Sequence, residues 1–119
     1  MARLPTNKKY DLEERTAKFG ENVILLLKKI PKDVITKPLV NQLVKCATSV
    51  GANYCEADDA ESKRDFKHKI GISKKESREC LHFLRMLAKA SPEFKDEIRR
   101  LWQEAKELNL IFNKIYLKV

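Results

Sequence analysis

SVGANYCEADDAESKRDF, residues 49–66, decides how this chain folds. Small residues surround Asn53, carboxylates gather between Asp58 and Glu61, and bases follow. On both sides of the carboxylates, apolar residues recur at steps of three and four, the period of a helix with one buried stripe. The stretch therefore reads as the end of one helix, a turn, and the start of another. The upstream helix spans about 37–58, with Leu39, Leu43, Cys46, Val50, Asn53 and Ala57 facing inward and Thr36 as its N-cap. Pro38 is tolerated in its first turn. The downstream helix spans about 63–89 and opens at Ser62, with Asp65 three residues on as a weak capping box. Its stripe is Phe66, Ile70, Ser73, Ser77, Cys80, Leu84 and Leu87. Gly51 inside the first of these helices costs roughly 1 kcal/mol relative to Ala. Both stripes are small in the middle, which predicts that the two helices offset this cost by approaching closely across a tight antiparallel hairpin.

Working outward, Leu12, Thr16, Phe19, Val23, Leu26 and Ile30 mark a helix over about 11–30, stopped by Pro31. Ser91-Pro92-Glu93 announces a last helix over about 92–117, followed by Phe94, Ile98, Leu101, Ala105, Leu108 and Phe112 at the same spacing. Residues 1–9 (MARLPTNKK) read as a basic, loosely held tail. Four amphipathic helices with short connectors predict an all-α fold over residues 10–119, an antiparallel up-down-up-down four-helix bundle. The wide apolar faces leave room for self-association.

A chain of 119 residues is one domain with a core large enough to need neither disulfides nor metals. Its three cysteines have no CxxC pairing, which argues against a disulfide framework or a zinc site. The longest apolar run, residues 23–27, is too short to span a bilayer, and no signal-peptide pattern precedes it. A cytoplasmic protein without membrane contact is expected. The formal charge of +8 favours anionic partners, nucleic acid first.

Two constellations stand out at 100° per residue. Arg64, Lys67, Lys74, Lys75, Arg78 and Arg85, with His68 and His82, share one outward arc of the third helix, while Asp65, Glu76 and Glu79 fall outside it. A continuous cationic stripe is the footprint of phosphate-backbone binding; the alternative is a plain solvated face. The third helix carries no interleaved aromatics for base stacking. The second constellation is a polar cluster across the hairpin, Asn53 and Glu56 against Lys69 and Glu76, which reads as a device fixing helix register. Cys55 points to the other side of its helix and reads as an inert surface thiol. Glu79-x-x-His82 and Asp65-x-x-His68 have the spacing of di-iron ligands, but both lie on one helix and project away from its apolar stripe, so no metal site is expected. HExxH, P-loop, GxSxG and nucleotide-binding glycine patterns are absent from the sequence, so neither catalytic residues nor a cofactor are assigned.

Ser49-Val50-Gly51-Ala52-Asn53-x-x-Glu56, Ser62-x-x-Asp65-Phe66 and Lys75-Glu76-Ser77 before the apolar run from Cys80 to Leu87 resemble a bacterial four-helix-bundle family. It is the family named for proteins encoded in intervening sequences of 23S ribosomal RNA genes. Its usual first motif, Ser-Ile-Pro-Ala-Asn-Ile-Ala-Glu-Gly, is kept here at the Ser, Ala, Asn and Glu positions and changed at Val50, Gly51, Tyr54, Cys55 and Ala57. The resemblance covers about residues 10–117, and it extends more distantly to the accessory variability determinant of diversity-generating retroelements. It implies a ring-like homopentamer and a role in binding RNA or DNA, with a reverse transcriptase as partner of the retroelement relative. The expected function is that of a non-enzymatic, oligomeric nucleic-acid-binding bundle. A protein-interaction scaffold docking an acidic partner such as a polymerase is the alternative.

Overall fold

The structure, a computed structural model, describes residues 11–119; the tail expected over 1–9 lies outside the described residues. Four α-helices follow one another: α1 (Leu12–Lys29), α2 (Thr36–Asp58), α3 (Lys63–Ala90) and α4 (Lys95–Lys118). A single 3-10 turn, Pro92–Phe94, precedes α4, and there is no strand among the described residues.

The helix ends follow from local chemistry. Asp11 caps α1 by accepting the Glu14 N–H at 3.3 Å, and Ser62 caps α3 by accepting the Asp65 N–H at 3.0 Å. Thr36, expected to cap α2, is instead its first residue, and Asp33 takes the capping role. The Asp33 carboxylate accepts the N–H groups of Ile35 at 2.9 Å and Thr36 at 2.8 Å, and the Asp33 N–H donates to Thr36 Oγ1 at 3.0 Å. This is a reciprocal capping box with the acid at the cap and the hydroxyl three residues on. One carboxylate oxygen satisfies two orphan donors, which a capping threonine hydroxyl at position 36 would not. At the start of the last helix, Ser91-Pro92-Glu93 gives a 3-10 turn, closed by the Phe94 N–H on the Ser91 carbonyl at 3.0 Å, before the α-helix proper begins.

Each helix packs against its sequence neighbour, and α4 returns to α1. The stripes read from the sequence meet in the middle: Phe19, Val23 and Leu26 of α1, Leu43 and Val50 of α2, Ile70, Leu84 and Leu87 of α3, and Leu108 and Phe112 of α4 are all fully buried. Each such side chain contributes about 1.5–3 kcal/mol by leaving water. Val119 lies past the end of α4 and is exposed.

The close approaches differ from expectation in one respect. Gly51 does not face α3: a Cβ there would lie 3.0 Å from Thr16 Oγ1 and 3.3 Å from Thr16 Cβ, so the glycine admits α1. The α2–α3 contact is narrowed by serines and cysteines instead. Ser73 donates its hydroxyl to the Val50 carbonyl at 2.9 Å, and Cys80 Sγ reaches Cys46 Sγ at 3.4 Å, all within the buried core. Two helices bonded through side chain to backbone must lie near enough for Ser to bridge, which a Leu at position 73 would prevent.

The α1–α4 junction is held by charge. Arg15 makes a fork to Glu104, Nε at 2.7 Å and Nη2 at 2.9 Å, and Nη2 also meets Glu107 at 2.7 Å. These carboxylates hold the guanidinium still more firmly protonated than usual. Lys29 reaches Glu97 at 2.6 Å near the other end of the same pair of helices.

Candidate nucleic-acid interface

The cationic arc of α3 is present as a surface. Arg64, Lys75, Arg78 and Arg85 are exposed and Lys67 and Lys74 are half-buried, while His68 and His82 are exposed alongside. None of these six bases forms an ion pair with a carboxylate among the described residues, whereas Arg15, Lys29 and Lys69 all do. The arc therefore sets six cations on one side of α3 with no carboxylate within ion-pair distance among the described residues.

Its two half-buried lysines are not simply solvated. Lys67 Nζ lies 4.8 Å and Lys74 Nζ 4.9 Å from the centre of the Tyr116 ring, which reaches over from α4. Gly71 lies between the two lysines in sequence, and a Cβ there would approach Tyr116 Cε1 to 3.1 Å, so the glycine makes room for the ring. Gly71, Lys74, Lys75, Arg78 and Tyr116 enclose a depression of about 310 Å³. Further along the same α3–α4 seam, a second depression of about 460 Å³ is bordered by Arg85, Lys95, Arg99 and Trp102. The six-base arc of α3 includes neither Phe66 nor Phe83, and α4 sets Tyr116 beside it. Reading α3 alone could not find this ring, because Tyr116 is far along the chain from Lys74 and only the packing of α3 on α4 joins them. A heptad spacing from Trp102 through Asn109 to Tyr116 was the available signal.

The polar cluster divides into two parts. Asn53 Nδ2 donates to the Ser49 carbonyl at 2.9 Å and to Ser49 Oγ at 2.8 Å, and Ser49 lies near enough to Glu76 to favour its carboxylate form. Ser49, not assigned to the cluster from sequence, stands between Asn53 and Glu76. Burial and the neighbouring Glu79 push the Glu76 carboxyl above its ordinary value, against the opposing pull of Lys75 and Ser49. Separately, Lys69 bridges Glu56 at 2.6 Å, and that bond holds the Lys69 ammonium more firmly protonated. Glu56 is 58% exposed, which makes this a surface pair of small energetic weight.

The family model described as the 23S rRNA-intervening sequence protein matches residues 8–114. The chain belongs to the 23S rRNA-intervening sequence protein family. Its fold is also that of a crystal structure from Bacteroides thetaiotaomicron, a protein of unknown function from the S23 ribosomal protein family. That chain is 24% identical, with a TM-score of 0.78, over 88% of this chain and 97% of the other. No functionally curated protein matches the sequence.

In this member of the 23S rRNA-intervening sequence protein family, the three cysteines are separate from the arc. Cys55 is exposed, and partial burial together with Glu13, Asp58 and Asp59 pushes its thiol up, away from the thiolate form that reacts. Cys46 and Cys80 are buried, and their mutual hydrogen bond and burial push the Cys80 thiol up as well. The described residues contain no group of three or more His, Cys, Asp or Glu side chains placed to hold a metal ion. No helix among them is long and apolar enough to cross a membrane.

Proposed function

We propose that this protein is a non-enzymatic nucleic-acid-binding member of its family whose α3 arc contacts phosphates. The observation that carries the reading is the placement of Arg64, Lys67, Lys74, Lys75, Arg78 and Arg85 on one face of one helix, with no carboxylate within ion-pair distance of any of them among the described residues. Such a stripe binds a polyanion by releasing its counterions and carries no base sequence information by itself. The helices run up-down-up-down in this proposal, supported by the order of the α1–α4 pairs: Arg15 with Glu104 and Glu107, Lys29 with Glu97. The family resemblance adds self-assembly into a pentameric ring, and exposed Leu25, Ile35, Leu110 and Leu117 supply apolar surface of the kind that assembly covers.

Binding of a 20-nucleotide RNA or DNA, followed by fluorescence anisotropy as salt is raised, tests the phosphate contacts. Six contacts give a slope of log K against log salt of about −4 for single strands and about −5 for duplex. Lys75→Glu with Arg78→Glu should weaken binding to both. An absence of binding at low salt overturns the reading and leaves an acidic protein partner as the occupant of the arc. The ring is tested apart from it: a monomer by light scattering at micromolar concentration refutes assembly.

A further inference from the structure

Two rows of side chains, each spaced by seven residues, define the α3–α4 seam. Tyr116, Asn109, Trp102 and Lys95 form the row on α4, and Lys67, Lys74, Leu81 and Ala88 the row on α3. The rows engage where Lys67 and Lys74 meet Tyr116, where Asn109 bonds the Lys74 carbonyl, and where Ala88 borders Trp102 and Lys95 in the second depression. Trp102 and Tyr116 are both half-buried, with part of each ring facing outward. At 1.5 Å and 100° per residue they stand about 21 Å apart and about 40° around α4, on the same side of the helix. Cations line the depression at each aromatic, Lys74, Lys75 and Arg78 at Tyr116 and Arg85, Lys95 and Arg99 at Trp102, and Lys106 Nζ lies 5.4 Å from the centre of the Trp102 ring.

We infer that this seam is a binding track for single-stranded polynucleotide, with bases against Trp102 and Tyr116 and phosphates on the cations between them. The inference rests on the reading of the α3 arc as a phosphate-binding surface and names the form of nucleic acid it takes. Alternation of π-faces with positive charge is the means by which proteins hold single strands without reading sequence. A duplex keeps its bases stacked on one another and presents only phosphates, so it engages the cations and leaves both rings unused. Lys67 and Lys74 now occupy the Tyr116 ring. Each of these cation–π contacts, at a ring still partly open to water, is weaker than a stacked base, so an arriving base displaces the ammonium groups, which are then free for the adjacent phosphates. Gly71 is the position that lets Tyr116 lie down on α3 among these lysines.

The chain has one tryptophan, so its emission reports on the seam directly. The full-length protein is titrated at low salt with oligo(dT) and oligo(rU) of 20 nucleotides, a 20-base-pair duplex, and heparin, a polyanion without bases. Binding is followed separately by anisotropy of a labelled strand and by its competition. The single strands should quench Trp102, while duplex and heparin bind without quenching. Tyr116→Leu should weaken single-strand binding on the order of tenfold, with Tyr116→Phe keeping most of it and duplex binding unchanged in both. Single strands that bind with Trp102 emission unmoved, or a duplex held as tightly as they are, would overturn the track and leave the phosphate-binding reading intact. Failure of every polyanion to bind removes both.

Discussion

Asn109 on α4 donates its side-chain amide to the backbone carbonyl of Lys74 on α3 at 2.8 Å, and to Ser77 Oγ at 3.1 Å. Asn109 lies midway in sequence between Trp102 and Tyr116, and Lys74 is a member of the cationic arc. The bond therefore fixes how far the aromatic row is shifted along the basic one. A half-buried amide that finds two acceptors on the opposite helix specifies register in the way an Asn does in a coiled coil.

Asn109→Ala should lower stability by about 1 kcal/mol, the net value of a part-buried hydrogen bond. Urea unfolding followed by helical circular dichroism measures it. An unchanged midpoint would mean that apolar packing alone sets the α3–α4 register.

The helical glycines should respond oppositely to alanine. At Gly20 a Cβ would meet the Ala47 carbonyl oxygen at an ordinary 3.6 Å, so Gly20→Ala should express the helix-propensity gain of roughly 0.5–1 kcal/mol. At Gly51 the new Cβ meets buried Thr16 at 3.0 Å, and Thr16 is held in place because its hydroxyl bonds the Leu12 carbonyl. Gly51→Ala should therefore destabilise, by about 1 kcal/mol or more, and by less in a Thr16→Ala background. Additivity of the two substitutions in thermal unfolding would contradict the contact.

Two carboxyls should give opposite pH signatures. Backbone bonds from Thr36 and Ile35 hold Asp33 below its ordinary value of 3.8, so the cap's contribution is complete above that pH and is lost as pH falls through the lower folded value. Asp33→Asn, which keeps a capping oxygen, should lose less stability on acidification than the parent. Glu76 is raised above its ordinary 4.5, chiefly by burial, so its ionisation opposes folding as pH rises past that point. Glu76→Gln should be the more stable protein at pH 7, with its advantage gone below pH 4. Parallel pH profiles for parent and both variants would refute the two assignments.

Asn53 is bonded within α2, to the carbonyl and the hydroxyl of Ser49, and makes no hydrogen bond to Trp102, Asn109 or Tyr116 among the described residues. Asn53→Leu should shift stability by about 1 kcal/mol or alter assembly, and leave polynucleotide affinity unchanged. A selective loss of binding with the fold intact would move the functional surface from the α3–α4 seam to the α2–α3 hairpin.

Periodicity made the four helices and their inward stripes legible, because burial of Phe19, Leu43, Leu84 and Leu108 is decided by spacing within one segment. The arc on α3 was legible for the same reason. What spacing cannot show is how one helix is turned toward another. Gly51 looked like a contact for α3 and serves α1; the polar residues of the hairpin looked like one cluster and are two, Asn53 with Ser49 and Lys69 with Glu56. Nothing in the spacing within α4 shows that Tyr116 lies beside Lys67 and Lys74 of α3. The cap of α2 was misplaced because Thr36 and Asp33 are both good capping types, and only the backbone shows which donors each can reach.

The 3.4 Å contact between Cys46 and Cys80 gives the protein an internal reporter of helix separation. Both thiols are shut in the core while Cys55 is open to solvent. A thiol reagent should therefore modify one site per chain at once and the other two together, at a rate set by how often α2 and α3 part. If a polynucleotide seated on α3 holds that helix in place, the slow labelling of Cys46 and Cys80 becomes slower still, and ligand binding can be read from the kinetics of two sulfur atoms it never touches.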